Sequence, residues 1–230
     1  MPVDLDSIAD PRFILLGWAA GLAVVAGGVA LARIVGPGFT WLAAGIAGAL
    51  GLAGWAVKDA IWSRAAILLV ILAVVWARSR PLSGGLLLGA SVLYLVDAAG
   101  IGGWVLAVTA ASALGGVTGE MALGHWYLID PRLPRWALRA LAVVGILGLL
   151  ADGLTLVGVG DLTRSGPVIA FFALLVTSVV LMAAVLGALR YPAYSGVMAA
   201  TGLSYLAVLT SLGAVFLGRA LVAGIGPFAN

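Results

Sequence analysis

The sequence predicts an all-α protein: a polytopic transmembrane helix bundle of about eight helices, or seven if 61–77 does not span. Three observations carry this. Hydrophobic residues make up 63% of the 230-residue chain and charged residues only 9%. A soluble globular domain carries roughly 25% charged residues, so a water-facing surface cannot be built from this inventory. Mean hydropathy is +1.21. The apolar residues also fall in runs close to the roughly 20 needed to cross hydrocarbon, with short polar breaks between them.

The elements follow in order. Residues 1–11 form a short acidic N-terminal segment with three aspartates, Asp4, Asp6 and Asp10. It lacks the basic stretch of a cleaved signal peptide, so the first apolar run, 12–33, reads as a retained helix. Asp10-Pro11 suits an N-cap followed by a first-turn proline. The sequence GPG at 36–38 separates this run from the second, 38–57. The third, 61–77, has Arg64 near its start and reads as spanning, re-entrant or interfacial. Arg80-Pro81 leads into the fourth, 82–97, which is also short.

Residues 82–123 form one apolar tract, about twice the bilayer thickness if helical throughout. A break is therefore expected at 98–102, Ala-Ala-Gly-Ile-Gly. It is either a tight turn between antiparallel helices or a broken helix at a binding site. The fifth run is then 101–123. The sixth, 135–157, is entered through Asp130-Pro131, read like Asp10-Pro11 as a cap and proline. Gly166-Pro167 and Tyr191-Pro192 introduce the seventh and eighth, 167–189 and 194–218. No polar stretch is long enough for a soluble domain, so 1–230 reads as a single integral membrane domain. The tripeptide DPR recurs at 10–12 and 130–132. Aligning the two leaves three helices to match five, so it marks no repeat.

Thirty-three glycines indicate how the helices associate, since helices in lipid hold together by close backbone approach and interhelical hydrogen bonds. Small-residue spacings recur at Gly17/Gly21, along Gly45, Gly48, Gly51 and Gly54, and at Gly115/Gly119. With no cysteine there is no disulfide and no thiolate metal site.

Charge speaks to orientation. Eight spans place Arg33, Arg78, Arg80, Arg132, Arg135, Arg139 and Arg190 on one side, and Arg12, Lys58, Arg64, Arg164 and Arg219 on the other. The positive-inside rule then expects a multi-pass protein of the cell (cytoplasmic) membrane with the 124–135 loop inside and both termini outside. The excess of twelve basic over nine acidic residues reports topology rather than nucleic-acid binding. The expected partners are the lipid bilayer and either a homo-oligomer or a larger membrane complex.

Ionisable groups inside apolar spans are costly, about 2.5–3.5 kcal/mol each on insertion scales, and so are site candidates. Asp97 ends the fourth run, Glu120 lies near the end of the fifth and Asp152 near the end of the sixth. Asp97 and Asp152 fall toward the side of Asp161 and Arg164. Thr109, Ser112, Gly116, Glu120 and Tyr127 share a helix face by spacing, and Thr201, Ser204 and Ser211 make a similar stripe in the last helix. Such stripes line a polar path or simply face each other in the bundle.

The stretch GEMALGHWYLIDPRLPRW, 119–136, holds the only histidine, His125. His125, Trp126 and Tyr127 read either as an interfacial aromatic belt or as a proton-exchanging or ligand-binding imidazole with its neighbours. The expectation put at risk is one polar patch of Glu120, His125 and Tyr127 with Arg139 nearby. It requires the helix to end or unwind near Gly124. The alternative for Glu120 is an ion pair with Arg139 or Arg190, and the alternative to a site role for Asp152 is solvation at a helix end.

Enzyme motifs with defined mechanics, HExxH, the P-loop, GxSxG and CxxC, do not occur in the sequence. One histidine cannot supply a bis-histidine haem, and no cofactor is assigned. Two functions remain: a small permease or channel-like transporter for a small solute or ion, or a membrane-anchor or redox subunit that binds a quinone or partner subunits at the His125 boundary.

Overall fold

A computed structural model of the protein describes residues 9–159 and 165–223. Residues 1–8 of the acidic segment, and the loop charges Asp161 and Arg164, lie outside them. All regular structure of the described residues is helical: α1 Pro11–Leu31, α2 Pro37–Val57, α3 Ile61–Val75, α4 Arg80–Gly102, α5 Trp104–Ile129, α6 Arg135–Val159, α7 Ser165–Ala188 and α8 Tyr194–Val222. Seven are long and apolar enough to cross a membrane. The chain is a multi-pass helical membrane protein.

The exception is α3, whose 15 residues rise about 22 Å. It nevertheless carries the chain from one face of the bundle to the other. The end of α2 lies beside the start of α1, where Gly54 abuts Leu16, and the start of α4 lies beside the end of α1, where Gly84 abuts Leu31. The start of α1 and the end of α8 therefore lie on one face: the Arg219 guanidinium of α8 sits over the Phe13 ring of α1, 5.2 Å from its centroid. We call this the terminal face.

The helices form two groups of four with the same neighbour pattern. In the first, α1 and α3 each pack against α2 and α4; in the second, α5 and α7 each pack against α6 and α8. The α1–α5 and α4–α5 contacts join the groups. This likeness between halves has no counterpart in the DPR tripeptides.

Glycine sets the central seam. The Gly17/Gly21 and Gly115/Gly119 spacings face one another across α1 and α5: a Cβ on Gly115 would lie 2.5 Å from the Gly21 backbone, and one on Gly119 would lie 2.8 Å from the Val25 side chain. On its other flank α5 meets α6 through Gly116 and Gly145, again backbone to backbone. Close approach of this kind replaces the hydrophobic drive that lipid cannot supply.

Two helix boundaries depart from the sequence reading. The break expected at 98–102 falls at Gly103, whose φ of 83° is a conformation natural to glycine. Gly102 stays helical and makes room for the Phe13 ring, which a Cβ would meet at 2.7 Å. The helices on either side are antiparallel, so the tight-turn alternative describes the joint. At the other boundary, Asp130 does not begin α6 but closes α5, its amide donating to the Trp126 carbonyl at 3.0 Å. Its carboxylate accepts from the Arg132 amide in a turn that delays α6 until Arg135. By contrast, Asp10 caps α1 as expected, accepting from the Arg12 amide at 2.8 Å, with Pro11 in the first turn.

Candidate functional site

The six sequence candidates separate into three places. Asp97 and Asp152 lie toward the terminal face, each buried and each held by an arginine from another helix. Asp97 on α4 accepts from Arg12 of α1 and from the Ser63 hydroxyl of α3. Asp152 on α6 takes a bidentate pair from Arg219 of α8 at 2.8 and 3.0 Å, and the Thr109 hydroxyl of α5 at 2.9 Å. Asp152 is only 3% exposed, so it is not a solvated helix end. Each carboxylate thus gathers one guanidinium and one hydroxyl, and each cluster ties three helices of one group. Phe13, packed under Arg219 and next in sequence to Arg12, lies between them.

Neither arginine partner was a sequence candidate. Arg12 and Arg219 had been counted as loop charges, yet they are 4% and 0% exposed. A signal existed for Arg219: apolar Ala-Leu-Val follows it, and α8 continues to Val222. Ending the last span at 218 hid it.

The second place is the loop end of α5. The helix runs unbroken through Gly124 to Ile129, so Glu120, His125 and Tyr127 do not converge. His125 points outward and its Nδ1 lies 3.2 Å from the hydroxyl of Tyr205 on α8. Tyr127 is buried, stacks on Tyr194 and accepts from Arg135 Nε at 3.4 Å. Arg135 also caps the α7–α8 turn, donating to the carbonyls of Tyr191, Pro192 and Ala193 at 2.6, 2.7 and 3.2 Å. Arg139 donates to the Leu189 carbonyl at 2.8 Å. These contacts fasten a helix end whose carbonyls would otherwise lack donors. Outside the membrane, the Asp130 carboxyl is held below its ordinary value by its hydrogen bond from the Arg132 side chain.

The third place is Glu120 itself. It is 0% exposed, and neither carboxyl oxygen has a hydrogen-bond partner among the described residues. The ion pair with Arg139 or Arg190 is not formed. Across from it on α8 are Ser204 and Thr201, which approaches because Gly124 has no side chain: a Cβ there would lie 2.7 Å from Thr201 Oγ1 and 3.7 Å from Glu120 Oε1. Both hydroxyls lie within donating distance of backbone carbonyls, Thr201 of Val197 at 2.9 Å and Ser204 of Thr201 at 2.8 Å. With those bonds made they turn lone pairs toward Glu120, and each can donate to it only by giving up its backbone carbonyl.

The polar stripes therefore divide among interfaces. Gly116 faces α6, Glu120 faces α8, and Thr109 with Ser112 borders an open groove between α5 and α6 of about 330 Å³. Glu120 and His125 line neither this groove nor the four other principal grooves. No cluster of three or more metal-ligating side chains occurs among the described residues. No known protein family, curated protein or solved structure matches the chain.

Proposed function

We propose that the protein is a small permease or channel-like transporter that moves a small solute or ion in a cycle loading and unloading one proton at Glu120. One observation supports this reading: a carboxyl group sealed inside the bundle beside two hydroxyls that are engaged with backbone carbonyls, and with no cation paired to it among the described residues. An isolated buried carboxylate is very costly, whereas a neutral carboxyl donates its O–H to Ser204 or Thr201 without penalty. A hard metal ion is a poorer match, since one carboxyl and two hydroxyls fall short of the roughly six oxygens such ions gather. Glu120 then bears its proton in the closed state and loses it only when the α5–α8 seam opens to water.

The orientation expected from loop charge gains support from the burial of Arg12 and Arg219, which removes them from the terminal face. That face keeps Lys58, Arg64 and Arg164, against seven arginines opposite. We place the terminal face outside the cytoplasmic membrane. Cysteine at Lys58 should react with an impermeant maleimide in intact cells, and cysteine at Ser79 only after permeabilisation. The reverse pattern overturns the orientation.

The functional test uses proteoliposomes with an internal pH dye and an imposed proton gradient. Glu120→Gln should abolish the proton flux of the natural protein, while His125→Ala should retain it. Equal flux from Glu120→Gln overturns the proposal. Loss of flux in His125→Ala alone favours the second reading, a redox or anchor subunit with a quinone at the outward-facing His125–Tyr205 couple.

A further inference from the structure

Opposite the terminal face, α1 and α6 belong to different four-helix groups and leave a groove between them of about 280 Å³. Its walls are apolar, formed by α1 from Val24 to its end, by Ile34 in the turn that follows, and by α6 from Trp136 to Val144. Along the helix axes this is about 10–12 Å, within the half of a roughly 30 Å hydrocarbon core that one leaflet supplies. The groove therefore has the depth of a single leaflet, which suits one lipid tail better than a transmembrane helix. A smaller depression over Ala111, Ser112 and Gly116 continues beyond Val144.

The mouth of the groove carries the second observation. Arg33 sits between two lining residues, Ala32 and Ile34, and projects from a backbone with φ of 56°. It is exposed, and its guanidinium makes no hydrogen bond or ion pair among the described residues. Trp136 closes the other side, 59% exposed, with an indole N–H that has no partner among the described residues. A free guanidinium on the turn that borders the apolar slot, and a free indole N–H in its lining, match a lipid phosphate and ester carbonyl above an acyl chain. The surrounding face holds six further arginines, and its one acid, Asp130, is paired with Arg132. That field favours a net-anionic headgroup over a zwitterionic one.

We propose that this groove binds one anionic phospholipid, its tail between α1 and α6 and its phosphate on Arg33 and Trp136, stapling the two helix groups together. Two variants test it. Arg33→Gln removes the cation. Gly28→Leu fills the groove from its wall, where an added Cβ meets nothing within 4 Å, so the substitution blocks the site without displacing protein. The full-length protein is extracted into mild detergent, titrated with phosphatidylglycerol or phosphatidylcholine, and lipid retention is read by native mass spectrometry. The natural protein should retain one phosphatidylglycerol in preference to phosphatidylcholine. Arg33→Gln should weaken that retention by about fivefold, and Gly28→Leu should abolish it while the melting temperature of the lipid-free protein stays unchanged. Equal retention of both lipids, undiminished retention in both variants, or a second copy of the chain in the groove overturns the proposal.

Discussion

Arg219 and Asp152 meet through two parallel hydrogen bonds of 2.8 and 3.0 Å, with the guanidinium completely enclosed by protein. They lie 67 residues apart in sequence, and the bond joins the ends of α6 and α8. Removing one partner of a buried pair strands the other charge, at about 3–5 kcal/mol. Arg219→Met should therefore melt far below the natural protein in detergent, and Arg219→Met with Asp152→Leu should recover most of the loss. A double variant no more stable than the single one would show that the pair supplies attraction beyond mutual neutralisation.

Glu120 should behave in the opposite way. If it carries its proton in the folded bundle, Glu120→Gln is close to an isostere, and thermal unfolding at pH 7 should be unchanged. Asp97→Asn, which leaves buried Arg12 without its carboxylate, should be strongly destabilising in the same assay. A large stability loss in Glu120→Gln would indicate a charged Glu120 with an unseen partner.

Glycine positions offer a graded test of the central seam. Gly115→Ala places a methyl against the Gly21 backbone, which cannot swing aside, and should cost about 1–3 kcal/mol by overpacking. Gly202 is helical with open space where its Cβ would be; Gly202→Ala should be neutral or stabilise by up to about 1 kcal/mol. Paired chemical or thermal melts decide.

At the α4–α5 joint, Gly103→Ala forces an L-residue into an extended positive-φ conformation (φ 83°, ψ 160°) and should cost about 1–3 kcal/mol. The same change at Gly100, helical and uncrowded, should not. Equal effects would show that the joint relaxes to another turn.

The α2–α3 turn has a defined acid sensitivity. The Asp59 carboxyl is held below its ordinary value first by its hydrogen bond from the Arg64 side chain and then by that from the Trp55 indole. A carboxyl lowered in the folded state stabilises while ionised: its contribution is complete above the ordinary value of 3.8 and is lost as pH falls through the lowered one. Hydrogen exchange of residues 58–64, corrected for intrinsic rates, should therefore be flat from about pH 5 to 8 and rise in stronger acid. Asp59→Asn should exchange faster at pH 7 and show no such rise.

The helices were legible because lipid demands internally bonded backbone, so run length and hydropathy nearly suffice. The joint at Gly103 was misplaced by a few residues because Gly100, Gly102 and Gly103 look alike in sequence; only Phe13, packed against Gly102, distinguishes them. Asp97, Glu120 and Asp152 stood out as acids in apolar runs. Their fates did not, since Arg12 is 85 residues from Asp97 and the residues facing Glu120 belong to α8. Whether a buried acid is paired or solitary depends on helix neighbours, and periodicity within one helix does not report them. The proposed patch around His125 failed on a local point: Gly124 permits a helix end, but here it serves the close approach of Thr201 instead.

The short α3 has a mechanical consequence for the surrounding lipid. Trp62 and Trp76 stand at its two ends, both exposed, about 21 Å apart along the axis. Indole rings settle at the headgroup boundary, so an unperturbed bilayer of about 30 Å would have to thin by several ångströms beside α3 to meet both rings. Membranes with thinner hydrocarbon would accommodate that mismatch with less elastic distortion than thick, sterol-rich ones.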